Sequence, residues 1–214
     1  MEILTDIGHA AIHANGRVYR LIPSFAAMTR IGTPEEVVRV LSCVFGSHYP
    51  QHRITNPEFA HAATARGYAE TITAAARVLS ACGNEDLSGI IGSYSMRVDG
   101  KLRCKPGIMP PENMITMAQH LILHGVLGDQ PQETGDKKGE YSSRFDARSW
   151  VYLAVAHLGI SEAEAWGMTM TGLRAALAAK YPEKEKSKVP TEAEYDASVD
   201  MADALIQADA SVTH

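Results

Sequence analysis

The helix starts of this chain are written out as local chemistry, and they constrain the fold more than any other feature. Thr33 stands before Pro34, with Glu36 three residues after the threonine. A hydroxyl at the N-cap and a carboxylate at N3 satisfy two orphan backbone N–H groups reciprocally, and proline costs nothing at the first helical position. Val37, Val40, Leu41 and Val44 follow at helical spacing, and Gly46 closes the segment. Asn56-Pro57 opens a second helix in the same way, running from Glu58 to Cys82 with Gly83 as C-cap. Ile72, Ala75, Ala76 and Leu79 are its apolar stripe, and Gly67 marks a break or a close helix contact. Pro111 opens a third helix towards His124, with Met114, Met117, Ala118 and Leu121 on one face. The methionines read as core filling.

After Phe145 the same punctuation recurs at shorter intervals. Val151, Ala154, Val155 and Leu158 form a stripe that Gly159 ends. Ser161 and Glu164 make another capping box, and Thr169 can cap a further helix with Leu173, Ala176 and Leu177 on one side. The spacing predicts helices over Pro34–Phe45, Glu58–Cys82, Pro111–His124, Phe145–Leu158 and Glu162–Tyr181, the last interrupted near Thr169. Phe25 to Met28 fits a short helical turn. Two stretches change period. Asn15-Gly16 is a tight-turn pair between short apolar runs, and Asp99-Gly100 lies between Ile90, Ile91, Tyr94, Met96 and Val98 on one side and Leu102 and Cys104 on the other. Hairpins so small must lie against helices or join a third strand. The expected fold is mainly α with small β-hairpins (α+β) and bundle-like helix packing. Its organisation is an N-terminal α+β domain over residues 1–128, a polar linker over 129–143, a small helical region over 144–182, and a charged tail over 183–214. Thr191 and Glu194 offer that tail a terminal helix.

Composition narrows the function. The 214 residues are 45% hydrophobic and 21% charged, with a net charge of -5. That balance argues against a nucleic-acid footprint, which needs a basic patch. No run is long and apolar enough for a membrane span, and the N-terminus lacks the basic start and apolar run of a signal peptide. The three cysteines, Cys43, Cys82 and Cys104, are widely spaced and read as reduced thiols.

Chemical motifs are sparse. His120 and His124 share a helix face, and His48 and His52 have the same spacing. Zinc needs one or two further ligands, for which the cysteines could serve, but no paired-cysteine motif and no His-Glu-x-x-His run is present. Ordinary surface or half-buried histidines are the better reading. Ser24 and Ser93 lie outside any nucleophile elbow, Gly89 and Gly92 lack the rest of a phosphate loop, and Asp6 with His9 makes no triad. No catalytic set, cofactor or metal is expected. The residues that remain are aromatic. Trp150 and Tyr152 lie too far round one helix for a single stripe, so at least one is exposed or meets a partner. Trp150 fits either core or partner contact, and Trp166 reads first as core.

The segment LGISEAEAWGMTMTGLRAALAAKYP resembles the C-terminal signature of tail assembly chaperones of long-tailed bacteriophages. The matching residues are Leu158, Gly159, Ile160, Ser161, Glu164, Ala165, Trp166, Met168 and Thr169. RVYRLIPSFAAMTRIGTPEEVVRVL is similar to phage tail-region proteins of this kind, in which a short strand leads through Pro-Ser-Phe into a capped helix. Together these cover about a third of the chain; residues 56–128 carry no resemblance. The resemblance implies a non-enzymatic protein of the host cytoplasm that holds the tape measure protein soluble, assists polymerisation of the tail tube protein, and is absent from the finished virion. Trp150, Tyr152 and Trp166 are the expected partner-binding residues. The alternatives are a structural protein of the tail or head-tail junction and, less in keeping with the residues, a metal protein or enzyme.

Overall fold

A computed structural model describes residues 5–46, 57–97, 102–129 and 143–182. The described residues form eight α-helices and two antiparallel strand pairs, a mainly helical fold with small hairpins. The first hairpin pairs β1 (Ala10–Ala14) with β2 (Arg17–Leu21). Asn15 and Gly16 both carry positive φ, 51° and 71°, as the two-residue turn requires. The hairpin does lean on a helix. Leu21 forms an isolated antiparallel bridge with Gly83, and the Ile22 N–H donates to the Cys82 carbonyl at 2.9 Å.

Pro23-Ser24 leads from the hairpin into a helix. Ser24 caps α1 (Phe25–Ile31), its side chain accepting from the Ala27 N–H at 3.2 Å. α2 (Pro34–Val44) follows with both arms of the Thr33–Glu36 capping box in place. α3 (Pro57–Cys82) runs through the buried Gly67 without a break. Gly83 follows it but adopts no left-handed cap. It is the bridge partner of Leu21, and a Cβ there would lie 2.8 Å from Leu87 Cδ1. The carbonyls at the end of α3 gain a side-chain partner instead: Arg30 donates to the Ala81 oxygen through Nε at 2.9 Å and Nη2 at 2.6 Å.

Ile90 and Ile91 depart from the expected strand. They lie in the four-residue α4 (Ser88–Ile91), both buried, so their adjacent apolar side chains serve one helical face rather than alternating. β3 begins only at Gly92 and pairs with β4 over Leu102–Pro106. The pairing of Met96 with Leu102 brackets residues 97–101; the turn expected at Asp99-Gly100 lies outside the described residues. α5 (Pro111–Ile122) starts at Pro111 as expected and passes into a π-helical turn over Leu123–Leu127. α6 (Ala147–Leu158), α7 (Glu162–Gly167) and α8 (Met170–Lys180) complete the described chain, the last two separated at Met168-Thr169. His48, His52, most of the 129–143 linker and the tail from 183 lie outside the described residues.

One hydrophobic cluster joins these elements. α3 packs on α1, α2 and α5, while α1 also meets α6 and α7. Phe25, Met28, Ile72, Leu79, Met114, Leu121, Val151, Met170 and Leu173 are all fully or almost fully buried in it. The helices after residue 144 therefore draw on the same core as those before residue 128. Entry to that region is pinned as well. The Phe145 N–H donates to the Pro34 carbonyl at 3.0 Å, and Arg144 Nε lies 2.8 Å from Glu35. No helix among the described residues is long and apolar enough to cross a membrane.

Candidate functional site

The region from α6 to α8 is built by caps and by two long-range backbone ties. Asp146 caps α6, accepting from the Arg148 N–H at 3.0 Å. Gly159 ends the helix in the left-handed region, φ 72°, which a residue with a Cβ enters only at a cost. Ser161 and Glu164 then form the reciprocal box that starts α7. The hydrogen bonds from Ser161 hold the Glu164 carboxyl below the usual carboxylate range. Thr169 caps α8 by accepting from the Gly172 N–H at 3.0 Å, and its own hydroxyl donates to the Ile7 carbonyl at 2.8 Å. At the same joint the Phe25 N–H donates to the Met168 carbonyl at 2.9 Å. Thr169 is thus buried for two reasons at once, and only the first was legible locally.

The three aromatic residues fare differently. Trp150 is half-buried and packs against the core from the flank of α6. Tyr152 is 53% exposed, and its hydroxyl meets no partner among the described residues. At ~100° per residue the two stand about 200° apart around the helix. They cannot line one groove together. Trp166 is half-buried against the core, and its Nε1–H donates to Glu162 Oε1 at 3.1 Å, one turn back on α7. The accessible aromatic surface on α6 is therefore Tyr152, with the two tryptophans serving the packing at least in part. A second exposed aromatic, Tyr181, sits at the end of α8 with its hydroxyl 3.3 Å from His157 Nδ1. Lys180 Nζ donates to the His157 carbonyl, so the ends of α6 and α8 are tied.

The histidine pair does share a face, with ring centroids 4.5 Å apart. His124 is buried under Gly8, and its Nδ1 lies 2.8 Å from Thr171 Oγ1, which also accepts from the Asp129 N–H at 3.2 Å. Burial lowers its pKa below the ordinary histidine value, the neighbouring His120 lowers it further, and Asp129 partly opposes both. Among the described residues no group of three or more His, Cys, Asp or Glu gathers as a metal would need. His124 joins the π turn to α8 through Thr171. The cysteines are free and stand apart in burial: Cys43 half-buried, Cys82 buried, Cys104 exposed. Burial pushes the Cys82 thiol up to about 12, which leaves it without thiolate character.

No curated protein and no solved structure matches the chain. Residues 21–197 match a family of unknown function (DUF6246), a span that covers most of the chain, and the protein belongs to that family.

Proposed function

We propose that this protein is a non-enzymatic tail assembly chaperone of a long-tailed bacteriophage. It acts in the host cytoplasm, holds helical segments of the tape measure protein in solution, and releases them as the tail tube assembles. One observation carries the reading. The two segments that resemble tail-region proteins lie more than a hundred residues apart, yet they are docked on each other. The Pro23-Ser24-Phe25 corner of the first receives the Met168-Thr169 joint of the second through the Phe25 to Met168 backbone bond, and α1 packs on both α6 and α7. The two short resemblances meet in space and so belong to a single unit of the core.

The docking leaves the outer face of α6 available. Tyr152 supplies a rigid aromatic contact there, of the kind that anchors helical partners. Trp150 and Trp166 act behind it, by fixing how α6 and α7 sit on the core. Co-expression with the tape measure protein, followed by pull-down and measurement of its soluble fraction, tests the reading. The wild-type protein is expected to co-purify with the tape measure and to raise its solubility. A tape measure that is neither captured nor kept soluble would remove the physical content of the assignment. Mass spectrometry of purified virions separates the chaperone from a structural tail or head-tail junction protein: a stoichiometric virion component would turn the reading to the latter.

A further inference from the structure

A cleft of about 490 Å³ opens where α3 passes β3, on the side of the molecule that carries the end of α1. Its walls are cationic and rich in hydroxyls. Arg30 and Arg77 contribute guanidinium groups, Thr73, Ser80 and Ser93 contribute hydroxyls, and no carboxylate lines it. The two arginines are only partly engaged. Arg30 places Nε and Nη2 on one carbonyl oxygen, that of Ala81, which leaves the donors of Nη1 unspent. Arg77 reaches Glu36 through Nη2 alone, at 3.5 Å, and Glu36 is itself occupied by its capping bond to the Thr33 N–H. Thr73 spends its hydroxyl on the Ala69 carbonyl, but Ser80 and Ser93 bond to nothing among the described residues.

An oxygen-rich anion would match the open forks of the two arginines. Nothing in the fold itself needs a cationic cleft at this place, because Arg30 performs its capping role with two of its five donors.

We propose that this cleft binds a small molecule bearing an oxyanion, a phosphate ester or a polycarboxylate, held by Arg77 and the free fork of Arg30 with Ser80 and Ser93 around it. The volume suits a small organic molecule rather than a bare ion. The site is separate from the α6 face, so it stands or falls independently of the chaperone reading.

Thermal unfolding of the full chain tests it, in inorganic phosphate and in citrate against chloride at matched ionic strength. The wild type is expected to gain about 2–4 °C in at least one of the two. Binding measured by calorimetry should weaken about tenfold or more in Arg77→Gln. Arg148→Gln, on α6 and away from the cleft, should respond as the wild type does. A gain in phosphate alone identifies the phosphate ester, a gain in citrate alone the polycarboxylate, and either supports the site. No gain in either anion, or an equal gain in Arg77→Gln, would overturn it, since general salting effects do not depend on one arginine. Loss of the gain in Arg148→Gln would overturn it too, by showing a response to total charge.

Discussion

α3 and α6 serve the same core with opposite economy of surface. Over its last three turns α3 buries Ile72, Ala75, Val78, Leu79 and Cys82 completely or nearly so, and Ala74, Ala76 and Ala81 almost as far. That set wraps about 220° of the helix at ~100° per residue. Alanine makes it possible, because small side chains let α1, α2 and α5 approach from several sides. α6 buries only Ala147, Val151 and Ala154, with Trp150, Leu153, Val155 and Leu158 half-covered. Its far side, marked by Tyr152, faces solvent. A helix enclosed on most sides has little left for a partner; a helix held on one side does. Substitutions on α3 should therefore report on the fold, and those on the outer face of α6 on binding.

The largest effect belongs to the enclosed helix. Leu79→Ala empties a site with no exposure and neighbours on several elements, and should cost about 2–5 kcal/mol in denaturant unfolding. A loss under 1 kcal/mol would mean that the core around α3 collapses easily and that the contrast with α6 is weaker than the burial implies.

Next comes the joint between α7 and α8. Thr169→Ala removes both the cap on Gly172 and the bond to the Ile7 carbonyl, and should cost about 2 kcal/mol. Ser161→Ala removes only a local capping box at an exposed site and should cost about 1 kcal/mol. Equal costs, measured as the shift in denaturation midpoint, would deny the long-range bond its weight.

These two residues also mark the limit of what the sequence discloses. Thr33 with Glu36, Ser161 with Glu164, and Thr169 announce their helices because a cap is satisfied within four residues of itself. Asn15-Gly16 is legible for the same reason. Phe25 to Met28 reads as a helical turn, but Ala27 stands where a capping box would need Glu or Gln, so nothing marks Ser24 as its cap. Ile90 and Ile91 read as strand because two adjacent β-branched residues before Tyr94 suit either state, and burial of both in the core decides between them. The roles of Gly83, of Arg30 at Ala81 and of Thr169 at Ile7 depend on residues dozens to more than a hundred positions away, and no local pattern encodes them. At the candidate site the sequence shows that Trp150 and Tyr152 cannot share a stripe. Which of them points outward depends on the core side of α6, and that is set by α1, α7 and α8.

The buried histidine gives a pH test of the same joint. The folded pKa of His124 lies below its unfolded value of 6.5, so the unfolded chain binds the proton more readily. The neutral-state stability it lends is full above about pH 6.5 and is lost as pH falls below that towards the folded value. His9, also lowered by burial, adds in the same direction. Glu36 and Glu164 have folded pKa values below 4.5, so their contribution is lost only at lower pH. Unfolding followed from pH 7.5 down to 5 should show a decline that His124→Gln reduces. A profile flat over that range would remove His124 as a buried neutral group. An undiminished decline in the variant would assign the titration to His9.

The smallest effect on stability should come from the residue with the largest expected effect on capture. Tyr152→Ala removes a side chain that is 53% exposed and spends no hydrogen bond, and alanine favours the helix at least as well. Its stability change should stay within about 0.5 kcal/mol. If the outer face of α6 holds a partner helix, loss of a central aromatic contact should cost about 2 kcal/mol in binding, roughly thirtyfold in affinity. Trp150→Ala is the necessary companion. Trp150 packs against the core, so its removal should lower stability by 1 kcal/mol or more, at about the level of a partly buried aromatic, and any fall in capture then mixes binding with folding. Two readouts, melting transition and pull-down of the tape measure protein, separate the cases. Capture that falls with Tyr152→Ala while the transition stays in place puts the partner on the outer face. Capture unchanged in Tyr152→Ala but reduced in Trp150→Ala in proportion to lost stability removes that face as the docking surface, because the molecule would then be reading the fold of α6 and not its exposed side.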